Sequence, residues 1–290
     1  MNYPKKISFF EVGPRDGLQN EPVFIPTDKK VELIKMLTQA GCERIEVTSF
    51  VHPKWVPQMK DAKEVFDRIG QKEGVTYSAL IPNLKGLERA LDIGVKEVVT
   101  IMSSSESHNQ KNVNRTIKES LREIEEINKI AATHGVKVRS YIATAFGCPM
   151  EGDIPVEKVA EIAMALEESG SYEVSLGDTT GMADPIKAYN IPKYILAKVK
   201  KASVAVHYHR CRGIELANNL ASLQAGITVF DGAAGGLGGC PYAPGATGNT
   251  ATEVLVEMFA RMGIETGIDL AAIRKCGEYA KTLSTLSCET

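Results

Sequence analysis

Val206-His207-Tyr208-His209 closes an apolar run that reads as a β-strand. Side chains alternate along a strand, so His207 and His209 point to one face. Two imidazoles on one face form a ready chelate for a metal ion. Oxygen donors stand elsewhere, notably Asp16 in Gly13-Pro14-Arg15-Asp16-Gly17 and Asn249 in a glycine-rich segment. A mixed nitrogen and oxygen set suits a hard or borderline divalent cation, acting as a Lewis acid on an oxygen-rich substrate.

Two loops carry the remaining chemistry. Phe10 to Glu21 leaves an apolar strand and at once becomes dense in charge and amide groups. Turn residues explain Gly13, Pro14 and Asp16, but not the concentration of Arg15, Gln19, Asn20 and Glu21 beside them. Gly232 to Asn249 is rich in glycine and matches neither a dinucleotide fingerprint nor a phosphate-binding loop, since no Lys-Ser/Thr follows. Glycine there permits close backbone approach to a ligand and lets a loop close over a site. Cys240 lies within it, where there is little core to bury a thiol, so a chemical role is the better reading.

These residues need a scaffold. Strand patterns recur at Ile7–Val12, Arg44–Ser49, Thr76–Ile81, Glu97–Met102, Lys137–Ala143, Tyr172–Gly177, Val204–His209 and Thr228–Gly232. Amphipathic helical patterns fall at Asp28–Ala40, Leu84–Ile93, Ile117–His134, Val156–Ser169, Asp184–Lys200 and Ile214–Ala225, with two more from about Thr250 to Met262 and Asp269 to Leu283. Repeated βα units over 290 residues predict a (β/α)8 TIM barrel with a C-terminal helical extension, spanning 1–290 as a single domain. A doubly wound sheet is the alternative. In a barrel Asp16, Glu46, Asp178, the two histidines and the glycine segment all meet at the C-terminal ends of the strands, where active sites are built.

The composition excludes several classes. A net charge of -2 and 43% hydrophobic residues leave no footprint for nucleic acid or an anionic membrane. No apolar run is long enough to span a bilayer. The cysteines (Cys42, Cys148, Cys211, Cys240, Cys276, Cys288) form no CxxC and read as free thiols. With no leader pattern at Met1 to Lys6, a cytoplasmic location is expected.

Taken together, GPRDGLQNE (Gly13–Glu21), IEVTSFVHPKWVPQM (Ile45–Met59), SLGDTTG (Ser175–Gly181), HYH (His207–His209) and AGGLGGCPYAPGATGNTATE (Ala234–Glu253) resemble the 3-hydroxy-3-methylglutaryl-CoA lyases, within the barrel metallolyase superfamily. The resemblance runs from near residue 5 to about residue 265. It implies a (β/α)8 barrel, an acyl-CoA substrate, a homodimer, and a place in leucine degradation and ketone-body metabolism. It implies that Asp16, His207, His209 and Asn249 hold Mg²⁺ or Mn²⁺. It makes Arg15 the group that stabilises a thioester enolate, Glu46 and Asp178 supporting acids, and Cys240 the catalytic loop cysteine. Asp16 or a metal-bound partner would take the hydroxyl proton as C2–C3 cleavage gives acetoacetate and acetyl-CoA. Because metal-bound imidazoles must be neutral, activity is expected to fall below about pH 6.5.

One departure stands out. The family usually has Asp-Thr after the second histidine, and this chain has Arg210-Cys211. An aspartate there can cap the next helix or orient a ligand, and arginine can do neither. Alternation turns Arg210 away from the barrel interior, toward Glu215. The readings that compete with the lyase are the same chemistry on another 3-hydroxyacyl-CoA, a Claisen-type acyltransferase, and an inactive relative that binds CoA esters.

Overall fold

The computed structural model describes residues 3–211, 213–238 and 246–284. Among these residues, eight parallel strands close into a barrel: β1 (Ser8–Glu11), β2 (Arg44–Ser49), β3 (Thr76–Leu80), β4 (Glu97–Ser103), β5 (Lys137–Ala143), β6 (Glu173–Asp178), β7 (Ser203–Cys211) and β8 (Val229–Gly232). Closure is made by β1 pairing with both β2 and β8, and by β7 pairing with both β6 and β8. The expected barrel is therefore present. Burial on both faces explains why most of these strands read as near-continuous apolar runs.

Helices pack outside the sheet. They are α1 (Thr27–Gln39), α2 (Ala62–Ile69), α3 (Leu84–Asp92), α4 (Glu106–Val113), α5 (Ile117–Thr133), α6 (Val156–Ser169), α7 (Pro185–Lys198) and α8 (Glu215–Ala225), followed by α9 (Thr252–Arg261) and α10 (Leu270–Leu283). Local chemistry sets several starts. Thr116 and Glu119 form a reciprocal capping box at α5, and Asp184 accepts from the amides of Ile186 and Lys187 at α7. The large core lies between strands and helices and includes Leu33, Ile34, Val98, Ile142, Val174 and Phe230.

Three elements differ from the sequence expectation. α2 and α4 are additional helices of eight residues each. A short strand, β9 (Ala246–Asn249), pairs antiparallel with β7, placing Asn249 opposite His209 and Ala246 opposite Cys211. β7 thus runs past the barrel rim, carrying Arg210 and Cys211 with it. α10 lies against the turn Ala234–Gly236, just before the glycine-rich segment: a Cβ on Gly235 would stand 2.7 Å from the Gly277 carbonyl.

The barrel interior is ionic rather than purely aliphatic. Arg44, near its N-terminal end, meets Glu173 at 2.8 Å and Glu97 at 3.9 Å. Arg139 on β5 joins Glu173 at 2.5 Å to Asp231 on β8 at 2.6 Å. The Arg139 guanidinium stacks over Phe10 and Tyr141, 4.1 and 4.6 Å from their ring centroids. Charges sit here because each is paired; an unpaired charge at this depth would cost several kcal/mol, on the order of 3–5.

Candidate active site

The chain leaves β1 at Glu11, and a single wide helical turn, Gly13–Gly17, turns Arg15 and Asp16 back over the barrel mouth. Glu11 fixes that turn. Its Oε1 accepts from the Gly13 amide at 2.8 Å and the Ala234 amide at 2.9 Å, and its Oε2 accepts from Thr252 Oγ1 at 2.6 Å. A Cβ on Gly13 would stand 2.6 Å from the same Oε1, so the turn needs glycine there. One buried carboxylate thereby links the turn that carries Asp16 to the residues flanking the glycine segment and β9. Burial pushes Glu11 up to about 7, against the hydrogen bonds it accepts.

Arg15 is buried and held on two sides. Its Nε and Nη2 reach Glu46 Oε2 at 2.7 and 2.6 Å, and its Nη1 donates to Asp16 Oδ1 at 2.6 Å. Burial opposes its charge, but Glu46 and Asp16 outweigh burial and hold the guanidinium firmly protonated. Burial also pushes Glu46 up to about 7, with Arg15 offsetting only part of that. Glu46 Oε1 is buried with no hydrogen-bond partner among the described residues.

Asp16, His207 and His209 converge, with one donor atom from each lying within 4.8 Å of the others. His209 Nε2 is 3.8 Å from Asp16 Oδ2. Asn249 joins them across the β7–β9 pairing, its Nδ2 donating to Asp16 Oδ2 at 2.8 Å and to the Leu237 carbonyl at 2.9 Å. Gln19 adds a further donor to Asp16 at 3.3 Å. Burial disfavours the Asp16 carboxylate, yet Arg15, the two histidines and Asn249 hold it well below the usual range. Burial first, and then His207, push His209 down to about 4. Burial thus favours the neutral form of His209, the form a metal ligand must take.

This donor set fits a divalent cation. An ionised carboxylate, a neutral imidazole and a second imidazole converge, and Asn249 Oδ1 is buried without a hydrogen-bond partner among the described residues. A buried amide oxygen without a partner costs free energy that a bound cation would recover.

The other predicted residues fall as follows. Asp178 ends β6, and its two oxygens accept from the amides of Met182 and Ala183 at 2.8 and 3.1 Å, so it shapes the β6 loop. Burial outweighs those bonds and raises its pKa. Cys240 lies outside the described residues. Arg210 Nη1 sits 3.7 Å from where a Cβ on Gly236 would stand, so the guanidinium lies beside the turn that enters the glycine segment. Cys211 packs on the β6 loop, its Sγ 2.7 Å from a Cβ position at Gly181. α8 opens at Glu215 without a side-chain cap.

Sequence reasoning missed Asp231, Arg139 and Glu11. Asp231 stands beneath the site, its Oδ2 at 3.3 Å from His207 Nδ1. Burial disfavours its charge, but Arg139 outweighs burial and holds the carboxyl at about 2. The available signal was a charged residue in mid-strand on the inward-facing phase, as in Val138-Arg139-Ser140 and Phe230-Asp231-Gly232.

The HMGL-like family model matches residues 6–279. The chain is 48% identical over 279 residues to the hydroxymethylglutaryl-CoA lyase YngG of Bacillus subtilis, covering 96% of this chain and 93% of that protein. It is 47% identical over 278 residues to a 3-hydroxy-3-isohexenylglutaryl-CoA/hydroxymethylglutaryl-CoA lyase of Pseudomonas aeruginosa, with 96% and 93% covered. The crystal structure of the Bacillus subtilis HMG-CoA lyase superposes with a TM-score of 0.95 at 47% identity, covering 100% of this chain and 98% of that one. With the closed barrel and the converging Asp16, His207, His209 and Asn249, these likenesses show that the chain belongs to the HMGL-like family, the family of the hydroxymethylglutaryl-CoA lyases.

Proposed function

We propose that the protein is a hydroxymethylglutaryl-CoA lyase, a carbon–carbon lyase that cleaves 3-hydroxy-3-methylglutaryl-CoA to acetoacetate and acetyl-CoA with a divalent cation. The observation that carries the reading is the placement of a carboxylate-clamped Arg15 directly beside the Asp16, His207 and His209 cluster at the barrel mouth. Asp16, His207, His209 and Asn249 would hold the cation, for which Mg²⁺ and Mn²⁺ both suit the donor set. When bound, the cation supplies Lewis acidity to the substrate's 3-hydroxyl and carboxylate oxygens.

The protein's own groups divide the remaining work. The 3-hydroxyl loses its proton, the C2–C3 electrons pass into a thioester enolate as the C3 ketone forms, and the enolate carbon takes a proton. Arg15, fixed by Glu46 and Asp16, is placed to donate to the developing oxyanion without reorganising. Asp16, kept ionised by Arg15 and the two histidines, is assigned the ligand role. Glu46, raised to about 7 and with an Oε1 that has no hydrogen-bond partner among the described residues, is better matched to the hydroxyl proton. The glycine-rich segment with Cys240 is assigned the return of a proton to the enolate carbon, and Asp178 the shaping of the mouth through the β6 loop. A homodimer is part of the same reading. The relatives include mitochondrial and cytoplasmic lyases, and the reading takes the cytoplasmic case. Among the described residues no helix is long and apolar enough to cross a membrane.

The test is turnover of 3-hydroxy-3-methylglutaryl-CoA, with acetoacetate and acetyl-CoA quantified separately and the 3-isohexenyl homologue run alongside. Equal amounts of the two products support the reading. Cleavage of the homologue alone would move the substrate to the longer acyl group named for the Pseudomonas relative.

A further inference from the structure

The ionic column beneath the site ends on an aspartate that touches one of the candidate ligands. Asp231 is fully enclosed, and its partners come from three other strands. Arg139 donates to Oδ1 at 2.6 Å and to Oδ2 at 3.2 Å, a two-pronged fork. Tyr141 donates its hydroxyl to Oδ2, and Ser175 Oγ lies 3.4 Å from the same oxygen. The remaining neighbour of Oδ2 is His207 Nδ1, at 3.3 Å, a close contact that falls short of a hydrogen bond and leaves Nδ1 without one among the described residues. The Tyr141 ring stands edge-on to the His207 ring, with centroids 5.5 Å apart.

We infer that Asp231 is the positioning residue of His207: it selects the Nδ1–H form of the imidazole and turns Nε2 toward the ligand position, while Arg139 fixes Asp231. An ionised carboxylate only accepts hydrogen bonds, so its charge at 3.3 Å favours the proton on the ring nitrogen that faces it, ready to close into a hydrogen bond. A neutral imidazole has a single N–H, so Nε2 is left with a lone pair. Arg139 cannot drift, because its Nε is held by Glu173 at 2.5 Å and its plane lies over Phe10 and Tyr141. The fork in turn prevents the carboxylate from rotating away from His207. The arrangement is the carboxylate–histidine pairing that orients metal ligands generally. The inference rests on the lyase reading only in taking His207 as a ligand.

The first experiment uses the full chain, stripped of metal and labelled with ¹⁵N-histidine, at about pH 8, where imidazoles are neutral. Long-range ¹H–¹⁵N correlation should show His207 protonated on Nδ1, and a proton on Nε2 would overturn the inference. The second is Asp231→Asn. The Arg139 fork will claim the amide oxygen, leaving the NH₂ group facing His207 and forcing the Nε2–H form. Mn²⁺ alone, titrated by calorimetry, should then bind roughly 10- to 100-fold more weakly. A folded Asp231→Asn protein with unchanged Mn²⁺ affinity would overturn the inference. Should the unpaired Arg139 charge prevent folding, the double variant Asp231→Asn with Arg139→Gln removes both charges and is read by the same titration against the same two outcomes. Because no substrate is present, failure of the lyase reaction cannot be mistaken for failure of this inference. Unchanged Mn²⁺ binding in His207→Ala would instead remove the ligand assignment on which both rest.

Discussion

Replacing Glu46 separates its structural work from its chemical work. Its Oε2 accepts both Arg15 Nε and Arg15 Nη2, at 2.7 and 2.6 Å, while its Oε1 has no hydrogen-bond partner among the described residues. Glu46→Ala leaves the buried Arg15 with Asp16 as its main counter-charge. Breaking a buried pair in this way costs about 3–5 kcal/mol. Glu46→Gln keeps the shape and one acceptor, exchanging a charge-assisted bond of about 1.5–3 kcal/mol for a neutral one of about 0.5–1.5, a loss of roughly 1–2 kcal/mol. The two variants should therefore differ clearly in urea midpoint at matched pH. In turnover they should look alike, because neither can take the substrate proton at about pH 7, and removal of a general base typically costs about 10²- to 10⁴-fold in kcat. The assay is urea unfolding of each variant beside kcat measured with saturating Mn²⁺. A Glu46→Gln enzyme within threefold of wild type would refute the base assignment. A Glu46→Ala protein as stable as wild type would refute the clamp on Arg15.

Three further outcomes follow from the same geometry. Glu11 rises from 4.5 to about 7 on folding, so its contribution to stability is complete below about 4.5 and is lost as pH rises through about 7, a swing of roughly 3 kcal/mol. Unfolding of Glu11→Gln and wild type, measured between about pH 4 and pH 8, should show the variant gaining on wild type as pH rises; a pH-independent difference would contradict the burial argument. Asn249→Ala removes hydrogen bonds to Asp16 and to Leu237, for a loss of about 1–3 kcal/mol in thermal unfolding, together with weaker Mn²⁺ binding; retention of full affinity would exclude Asn249 as a ligand. Gly248 has φ +136°, and a Cβ there would run into the Gly236 carbonyl. Gly248→Ala should therefore displace Asn249, lowering the melting temperature by several degrees and Mn²⁺ affinity with it, whereas wild-type values on both readouts would show that β9 tolerates the shift.

Much of the scaffold was legible because apolar alternation with amphipathic helices is a strong, local signal. The boundaries of β2, β5 and α6 follow directly from it. α4 was not legible, since Glu106 to Val113 offers almost no apolar face and is held instead by Ser105 at its start and by Asn109. β9 was not legible either, because Ala246-Thr247-Gly248-Asn249 has little strand preference and exists only as a partner for the overrun of β7. The site residues were visible as strand-end polar groups, but their supports were not. Arg139 and Asp231 sit 92 residues apart, and nothing local reveals that each is the other's counter-ion. Glu11 looks from sequence like the polar end of a strand, while in the fold it joins three segments. Arg210 was expected to turn toward Glu215; its guanidinium lies beside Gly236, a neighbour that strand alternation alone could not name.

The most direct test of the account is cleavage of 3-hydroxy-3-methylglutaryl-CoA by the purified protein with Mn²⁺, then with EDTA, then with Mn²⁺ restored. Acetoacetate and acetyl-CoA should form in equal amounts, abolished by the chelator and recovered with the metal. Cleavage that is indifferent to EDTA, or a folded protein that binds Mn²⁺ through Asp16, His207, His209 and Asn249 yet forms neither product, would contradict it.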